Sequence, residues 1–247
     1  MKQLDSMSAA SSSPAALRLT ARQPLGVDVY EVLVDLLMNH SFEPGERLNI
    51  DGLARTLGVS PTPIREAIAR LDAEGLIVRG PRRSYTVAPL ISLDELRALM
   101  DFRLLIEPAA AASAARNASP EEAEALAAFA RTGGAGDYDD TANRLDMIYD
   151  AAFHDRIAAL SGNQWLRESL VRLRSHMHMY RLYHHAKHAA ATKPEHVALA
   201  EAIAARDPDA AAEAMRLHLT TAMKRIDDFF AAGRLGSDGP VRVPPAG

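Results

Sequence analysis

The sequence predicts a mainly α-helical protein in two parts. Three helices and a small β-hairpin come first, and an all-α helical bundle follows. Three observations lead there. Apolar residues recur at helical spacing through most of the chain. Alanine is abundant and aromatics make up only 5%, which suits helices packed through small residues better than a β-sandwich. Two short β-prone runs, "LIV" at 76–78 and "YTV" at 85–87, flank an arginine-rich turn.

Composition narrows the class. The 247 residues suffice for two modest domains, and 48% hydrophobic with 24% charged residues is ordinary for a globular chain. The absence of cysteine excludes disulfides and thiolate metal sites. A net charge of −4 gives no global sign of nucleic-acid binding. No apolar run approaches the roughly 18 residues of a membrane span. The start, "MKQLDSMSAASSSPAA", lacks an apolar h-region and is not read as a signal peptide. Residues 1–22 read as a disordered tail, and so does "GRLGSDGPVRVPPAG" at 233–247. The expected location is the cytoplasm, with no membrane partner.

Residues 25–40, "LGVDVYEVLVDLLMNH", place Val29, Val32, Leu33, Leu36 and Leu37 on one helical face. "SFEPGERL" is a turn punctuated by Pro44 and Gly45. The helix "IDGLARTL" stops at Gly58, a residue suited to a left-handed C-terminal cap. Ser60 is a good N-cap for the next helix, with Pro61 welcome at its first position and Pro63 still within the first turn. That helix ends near Gly75. The hairpin around "RGPRRS" carries three arginines. Helix, helix, tight turn, helix and basic hairpin is the order of a winged helix-turn-helix. This head is expected over 23–90.

From 91 to 232 the chain reads as one bundle of about six helices. "SLDE" at 92–95 is a capping box, and "SPEE" at 119–122 repeats the start motif. "GGAGD" at 133–137 and "SGN" at 161–163 are breaks. A helix is expected to end near Leu160, and one long helix is expected over 164–189. "TKPE" at 192–195 and "DPDA" at 207–210 are expected to start the last two.

Two constellations carry chemistry. On the helix after Ser60, Ile64, Ala67, Ile68 and Leu71 share one face, with Thr62, Arg65 and Ala69 opposite. The outward face thus has a hydroxyl and a guanidinium near a positively polarised N-terminus, suited to base edges and phosphates. Local charge supports this in part. Residues 21–90 hold 8 Arg against 9 acids, whereas 55–90 hold 6 Arg against 3, concentrated on helix and hairpin. Phosphate contacts are expected from Arg55, Arg82 and Arg83. An amphipathic helix in a protein-interaction module remains the plainer reading of the pattern alone.

The segment "LGVSPTPIREAIARLDAEGLI", within about 65 matching residues, resembles the N-terminal domain of GntR-family transcription regulators. The resemblance implies a homodimer on a pseudo-palindromic double-stranded operator, read by Ser60, Thr62 and Arg65. Three positions depart from the family pattern: Pro61 and Asp51 stand where members carry arginine, and Ser84 replaces a wing glycine.

In the second constellation, Asp150 and His154 lie one helical turn apart, with Asp146 a turn earlier. His196 and His218 stand alone on the last two expected helices. One carboxylate and three imidazoles from facing helices suit Zn²⁺, with Mn²⁺ or Ni²⁺ as alternatives. Each histidine taken singly also reads as a partly buried polar residue. Five further histidines crowd "HMHMYRLYHHAKH" at 176–188, either as metal pairs such as His184 with His188 or as a polar helix face or pocket wall.

The segments "FRLLIEPAAA", "YDAAFHDRIAALSGN" and "EHVALAEAIAARDPDAAAEAMRLHL" resemble the FCD effector domain of the FadR-type branch. The resemblance implies that Asp150, His154, His196 and His218 hold a metal beside a small carboxylate effector. Arg103 is then a candidate partner for that carboxylate, with an i, i+4 salt bridge to Glu107 as the alternative. Arg172, Arg174 and His178 are candidates for the effector pocket wall. The expected function is a ligand-responsive regulator, repressing until a small organic acid binds. A metal-dependent enzyme fused to a DNA-binding head, or a purely structural metal, are the rivals. No placed general base or nucleophile motif is found, and "GGAG" lacks the Lys-Ser/Thr of a phosphate loop. The chain is therefore not read as an enzyme.

Overall fold

The computed structural model describes residues 25–38, 41–81, 84–133, 140–183 and 189–232. The expected tails 1–22 and 233–247, Arg82, Arg83, most of the "GGAGD" break, and His184, His185 and His188 lie outside the described residues. By its internal packing the chain divides into two compact units, Met1–Val34 with Arg47–Thr86, and Asp35–Glu46 with Val87–Gly247.

The first unit is built from α1 (Leu25–Met38, which begins in it), α2 (Ile50–Leu57), α3 (Pro61–Ala73), β1 (Ile77–Arg79) and β2 (Tyr85–Val87). The Asn49 side chain accepts from the Gly52 amide and starts α2, and Gly58 closes it at φ +68. α3 buries Ile64, Ala67, Ile68 and Leu71 on one face and packs against α2 and β1. β1 and β2 form a two-stranded hairpin. The preceding loop adds to its edge, through an Arg47–Thr86 bridge and the Leu48 amide donating to Tyr85 O at 2.9 Å. The C-terminal end of α3 is tied to α1 by polar contacts. Tyr30 donates to Glu74 at 2.7 Å, Arg70 pairs with Glu74 at 3.2 Å, and the Arg70 guanidinium lies 3.6 Å above the Tyr30 ring.

The second unit is the helical bundle. Its helices are α4 (Leu93–Asn117), α5 (Pro120–Thr132), α6 (Asp140–Leu160), α7 (Gln164–Leu173), α8 (Ser175–Tyr183), α9 (Ala189–Ala204) and α10 (Pro208–Ala231). α4 packs along α10, and α9 lies against α5 and α10. Ala110, Ala111, Ala114 and Ala115 line the buried face of α4, so neighbouring backbones approach closely. Ile157, Leu199, Ile203, Met215 and Leu219 fill the shared core. Both capping boxes form: Ser92 with Glu95 opens α4, and Ser119 with Glu122 opens α5. Asp207 caps α10, followed by Pro208 at its first position.

Two expected features are corrected. The long helix over 164–189 is broken at Arg174, a non-glycine residue at φ +46, so the bundle shows seven helices among the described residues. α7 buries no residue, whereas α8 buries Ser175, Met177, Met179, Tyr180 and Arg181. The left-handed turn costs about 1–2 kcal/mol. Burying two methionines, at roughly 1.5–3 kcal/mol each, outweighs it. The second correction is the start of α9, which begins at Ala189 and takes Pro194 into its interior. Packing against α5 and α10 overrides the local start motif there, as tertiary contacts commonly override propensity.

Ser119→Ala removes the hydroxyl that accepts from the Glu122 amide. The expected loss is about 1 kcal/mol of bundle stability in urea denaturation with an unchanged m-value. An unshifted midpoint means that the cap adds nothing there.

Candidate nucleic-acid interface and metal centre

The front of α3 is built to be short of its own hydrogen bonds. Ser60 is extended (φ −72, ψ 162), occupies the cap position, and its side chain makes no capping bond. Pro61 and Pro63 have no N–H, so among the first three helical residues only Thr62 offers a backbone donor. Ser60, Thr62 and Arg65 are exposed. No hydrogen bond or ion pair joins the Arg65 guanidinium to any described residue, and the same is true of the exposed guanidinium groups of Arg55 on α2 and Arg79 on β1. Arg70, by contrast, is taken up by Glu74. The hairpin tip closes without the usual glycine. The Gly80 amide donates to Ser84 O at 2.8 Å and Ser84 Oγ donates to Pro81 O at 2.8 Å. Ser84 is not among the positive-φ residues, so a serine fits there without strain.

The second site lies inside the bundle. α6 contributes Asp150 and His154, α9 contributes His196, and α10 contributes His218; one ligand atom from each lies within 4.8 Å of the others. Asp150 Oδ1 is 3.2 Å from His196 Nε2 and 3.9 Å from His154 Nε2. His154 Nε2 faces His218 Nε2 at 3.2 Å. Ligand atoms around a zinc ion at about 2.1 Å sit about 3–4 Å apart, the spacing of the pairs at 3.2 and 3.9 Å.

The outer contacts fix the chemistry of the rings. His154 Nδ1 meets Glu107 Oε2 at 2.5 Å and His218 Nδ1 meets Glu195 Oε2 at 2.8 Å. A carboxylate only accepts, so both Nδ1 atoms carry the hydrogen. In the neutral rings both Nε2 atoms then hold lone pairs, and these point at each other. This is the carboxylate–histidine arrangement that orients metal-ligating imidazoles. Glu107 is held by Arg103, and Glu195 by Arg225 at 2.6 and 3.1 Å. His196 is fully buried, and neither of its nitrogens has a hydrogen-bond partner. Its Nε2 lies near Asp150 in distance but off the direction of a hydrogen bond, and Phe153 stacks on its ring at 4.2 Å. An orphaned buried nitrogen aimed into a cluster of lone pairs fits a divalent cation.

Electrostatics agree. Burial, against the pull of Glu107, lowers His154 to about 3, and burial also lowers His218 despite Glu195. Burial pushes the Asp150 carboxyl up, but His176, His196 and His154 more than reverse this and hold it well below its usual range. Glu107 behaves alike: burial raises it, and Arg103 with His154 bring it far down. At neutral pH Asp150 is thus a carboxylate, and His154 and His218 are neutral imidazoles.

Residues 25–87 match the family described as bacterial regulatory proteins, gntR family, and residues 98–221 match the FCD domain. The chain belongs to the GntR family, in the branch with a C-terminal FCD domain. It is 28% identical to the HTH-type transcriptional repressor GlaR of Escherichia coli over 83% of this chain and 97% of GlaR. It is 29% identical to the HTH-type transcriptional repressor NanR of Citrobacter rodentium, over 90% of this chain and 94% of NanR. Among solved structures, E. coli McbR/YncC aligns over 85% of this chain and all of that one, with a TM-score of 0.65 and 20% identity, a likeness of fold. The chain is a DNA-binding transcription regulator of this family, and the relatives are regulators rather than enzymes. No described helix is long and apolar enough to cross a membrane.

The remaining sequence candidates fall unevenly on this GntR/FCD frame. Arg103 is buried and paired with Glu107, the alternative weighed for it, and its Nη2 lies 3.4 Å from His154 Nδ1. Arg172 is 83% exposed and paired with Glu168 at 3.8 Å, so the fold does not bring it to the cluster. Arg174 is half-buried at the left-handed turn, and His178 is half-buried on α8, its pKa lowered by burial and by Arg181. Sequence reasoning missed Glu195, Arg225 and Phe153, and it left the role of His176, within the 176–188 cluster, open. Glu195 adjoins His196 yet serves His218 on another helix, a pairing that no spacing rule announces.

Acid should loosen the metal-free bundle. His154 binds a proton at about 3 when folded and near 6.5 when unfolded. Between those values the unfolded chain takes up the proton first, so stability is lost as pH falls from about 6.5 towards 3. Chelator-treated protein is expected to be less stable at pH 5.5 than at pH 7.5, by on the order of 1 kcal/mol per such histidine in urea titrations. Equal or greater stability at pH 5.5 contradicts the neutral, lone-pair assignment.

Proposed function

We propose that this regulator is a homodimeric repressor that senses a small organic acid at a divalent metal held by Asp150, His154, His196 and His218. Residues 23–90 form the DNA-binding head and 91–232 the effector and dimerisation domain, between tails at 1–22 and 233–247. The observation that carries the sensing site is the facing pair of His154 and His218 Nε2 atoms beside the orphaned His196 nitrogen. That two full-length relatives are repressors supports the direction, with ligand binding releasing the DNA.

The residues divide the work. Ser60, Thr62 and Arg65 reach into the major groove of a pseudo-palindromic operator, where a guanidinium paired with guanine edges discriminates best. Arg55, and Arg82 with Arg83 on the wing, serve phosphates and set a salt-dependent affinity. In the bundle, Glu107 and Glu195 hold two imidazoles with their lone pairs inward, and Phe153 holds the third ring. A bound divalent ion, zinc first and manganese or nickel as alternatives, supplies an open position for a carboxylate. Asp150 is the least enclosed of the four, its side chain 24% exposed, so exchange with solvent runs past it. Arg103, Arg174 and His178 line the effector side, and Arg172 belongs to it only if α7 moves. Because a ligand shifts an equilibrium only through its differential affinity for two states, the acid must fit the DNA-free arrangement better. A purely structural ion is the second reading, favoured by the burial of all three histidines.

A thermal-shift screen of mono-, di- and tricarboxylates and sugar acids, with and without zinc, separates the two readings. A sensor responds to one acid class only when metal is present, and a structural site responds to zinc alone. Arg65→Ala is expected to cost about 1–3 kcal/mol against DNA selected from a random pool by the wild-type protein. Wild-type affinity in a gel-shift titration counts against the assigned face. His196→Ala is expected to lose bound metal while still binding the selected DNA. Full stoichiometric metal by elemental analysis would falsify the ligand set.

A further inference from the structure

His176 stands outside the four-residue cluster but touches it. Its Nδ1 donates to Asp150 Oδ2 at 2.6 Å, and its ring lies 5.2 Å from that of His154. Asp150 Oδ1 meanwhile faces His196 and His154. The two oxygens of Asp150 are thereby divided, one tied to His176 and the other left to the cluster. A carboxylate held this way presents a single, aimed oxygen to an ion.

His176 is the second residue of α8. Five residues on, Arg181 is buried and donates from Nη2 to the Ala88 carbonyl at 2.7 Å. Ala88 directly follows β2 and opens the stretch 88–92 that leads to the Ser92 cap of α4. Five residues on a helix advance about 7.5 Å and turn about 140°. One side of α8 therefore reaches the cluster while the far side grips the connecting chain. The left-handed turn at Arg174 separates α8 from α7, so α8 is not a continuation of it.

We infer that His176 is a positioning residue for the metal-ligand carboxylate of Asp150, and that α8 carries the state of the cluster to the 88–92 connection through Arg181. This rests on the four-ligand reading given under the previous heading. It adds to that reading a fifth residue at the site and a path out of it. Neither the operator nor the effector is needed to examine it, because zinc alone sets the state and the connection reports it.

The test is hydrogen exchange of the full chain with and without added zinc, alongside zinc affinity measured by competition with a chromophoric chelator. In the wild type, zinc is expected to slow amide exchange in α8 and across 88–92 by about fivefold or more. His176→Ala is expected to weaken zinc binding about 10–100-fold and to lose both effects. His176→Asn keeps a nitrogen donor for Asp150 Oδ2 and is expected to restore them, which a merely space-filling role would not. Arg181→Met removes the donor without leaving a buried charge. It is expected to keep wild-type zinc affinity and protection in α8 while losing the response of 88–92. Wild-type zinc affinity in His176→Ala overturns the positioning role. A retained 88–92 response in Arg181→Met overturns the path. A wild type that binds zinc but shows no change at 88–92 also sinks the path and leaves the cluster standing. A wild type that binds no zinc sinks the cluster reading and this inference together.

Discussion

Two imidazole nitrogens facing each other at 3.2 Å inside a helical bundle are the constraint around which the second unit is arranged. Left neutral and uncompensated, such a pair puts lone pair against lone pair where no water competes. The fold holds it in place from outside. α4 supplies Glu107 and α9 supplies Glu195, and each carboxylate is itself held by an arginine, Arg103 on α4 and Arg225 on α10. Counting Asp150 and His154 on α6 and His176 on α8, five helices converge on one point. The alanine face of α4 is part of the same solution, because large side chains there would keep these short polar contacts from closing.

The head obeys the opposite rule. Arg103 is buried and paired with Glu107, whereas Arg65 is exposed and its guanidinium is joined to no described residue. A guanidinium destined for an external anion must not be satisfied internally, since an internal partner would have to be displaced on binding. The neighbouring helix surface respects this. Arg70, about 1.4 turns further along α3, is anchored by Glu74 and Tyr30 and becomes structural. The two prolines at the start of α3 act in the same sense. They thin out the backbone donors, so Thr62, the Ser60 hydroxyl and Arg65 are the groups left to carry the recognition proposed for this face.

The head was legible in the sequence almost residue by residue, because its cues are local. Asn49 to Gly58 and Ser60 to Gly75 each contain a start, an apolar stripe and a stop within one helix. The capping boxes at Ser92 and Ser119 were legible for the same reason. The four ligand candidates come from three helices, and only Asp150 with His154 share a helical turn. His196 and His218 were joined to them only as lone histidines on later helices, a weaker reading that the resemblance to a known family strengthened. What stayed hidden was tertiary. The break at Arg174 follows from what α8 buries, which no cap residue marks, and α9 runs through Pro194 because its neighbours hold it. The outer carboxylates stayed hidden because Glu195 serves the histidine of another helix and Glu107 looks from sequence like half of an ordinary salt bridge.

A cluster of this kind makes binding and rigidity the same quantity. Without a cation, the bundle keeps three buried imidazoles and a carboxylate close together, a state that forgoes stability the same helices have with a cation between them. The deficit falls on the elements that deliver the ligands, and these differ in how firmly they are held. α4 and α10 pack along each other over most of their length, so they have little freedom to respond. α8 has nine residues, is set off from α7 by a left-handed turn, and meets the cluster through His176. On the proposed reading, motion driven by occupancy of the site is therefore expected in α8, the shortest of the five contributing helices, and that helix is the one whose buried arginine holds the chain leaving β2.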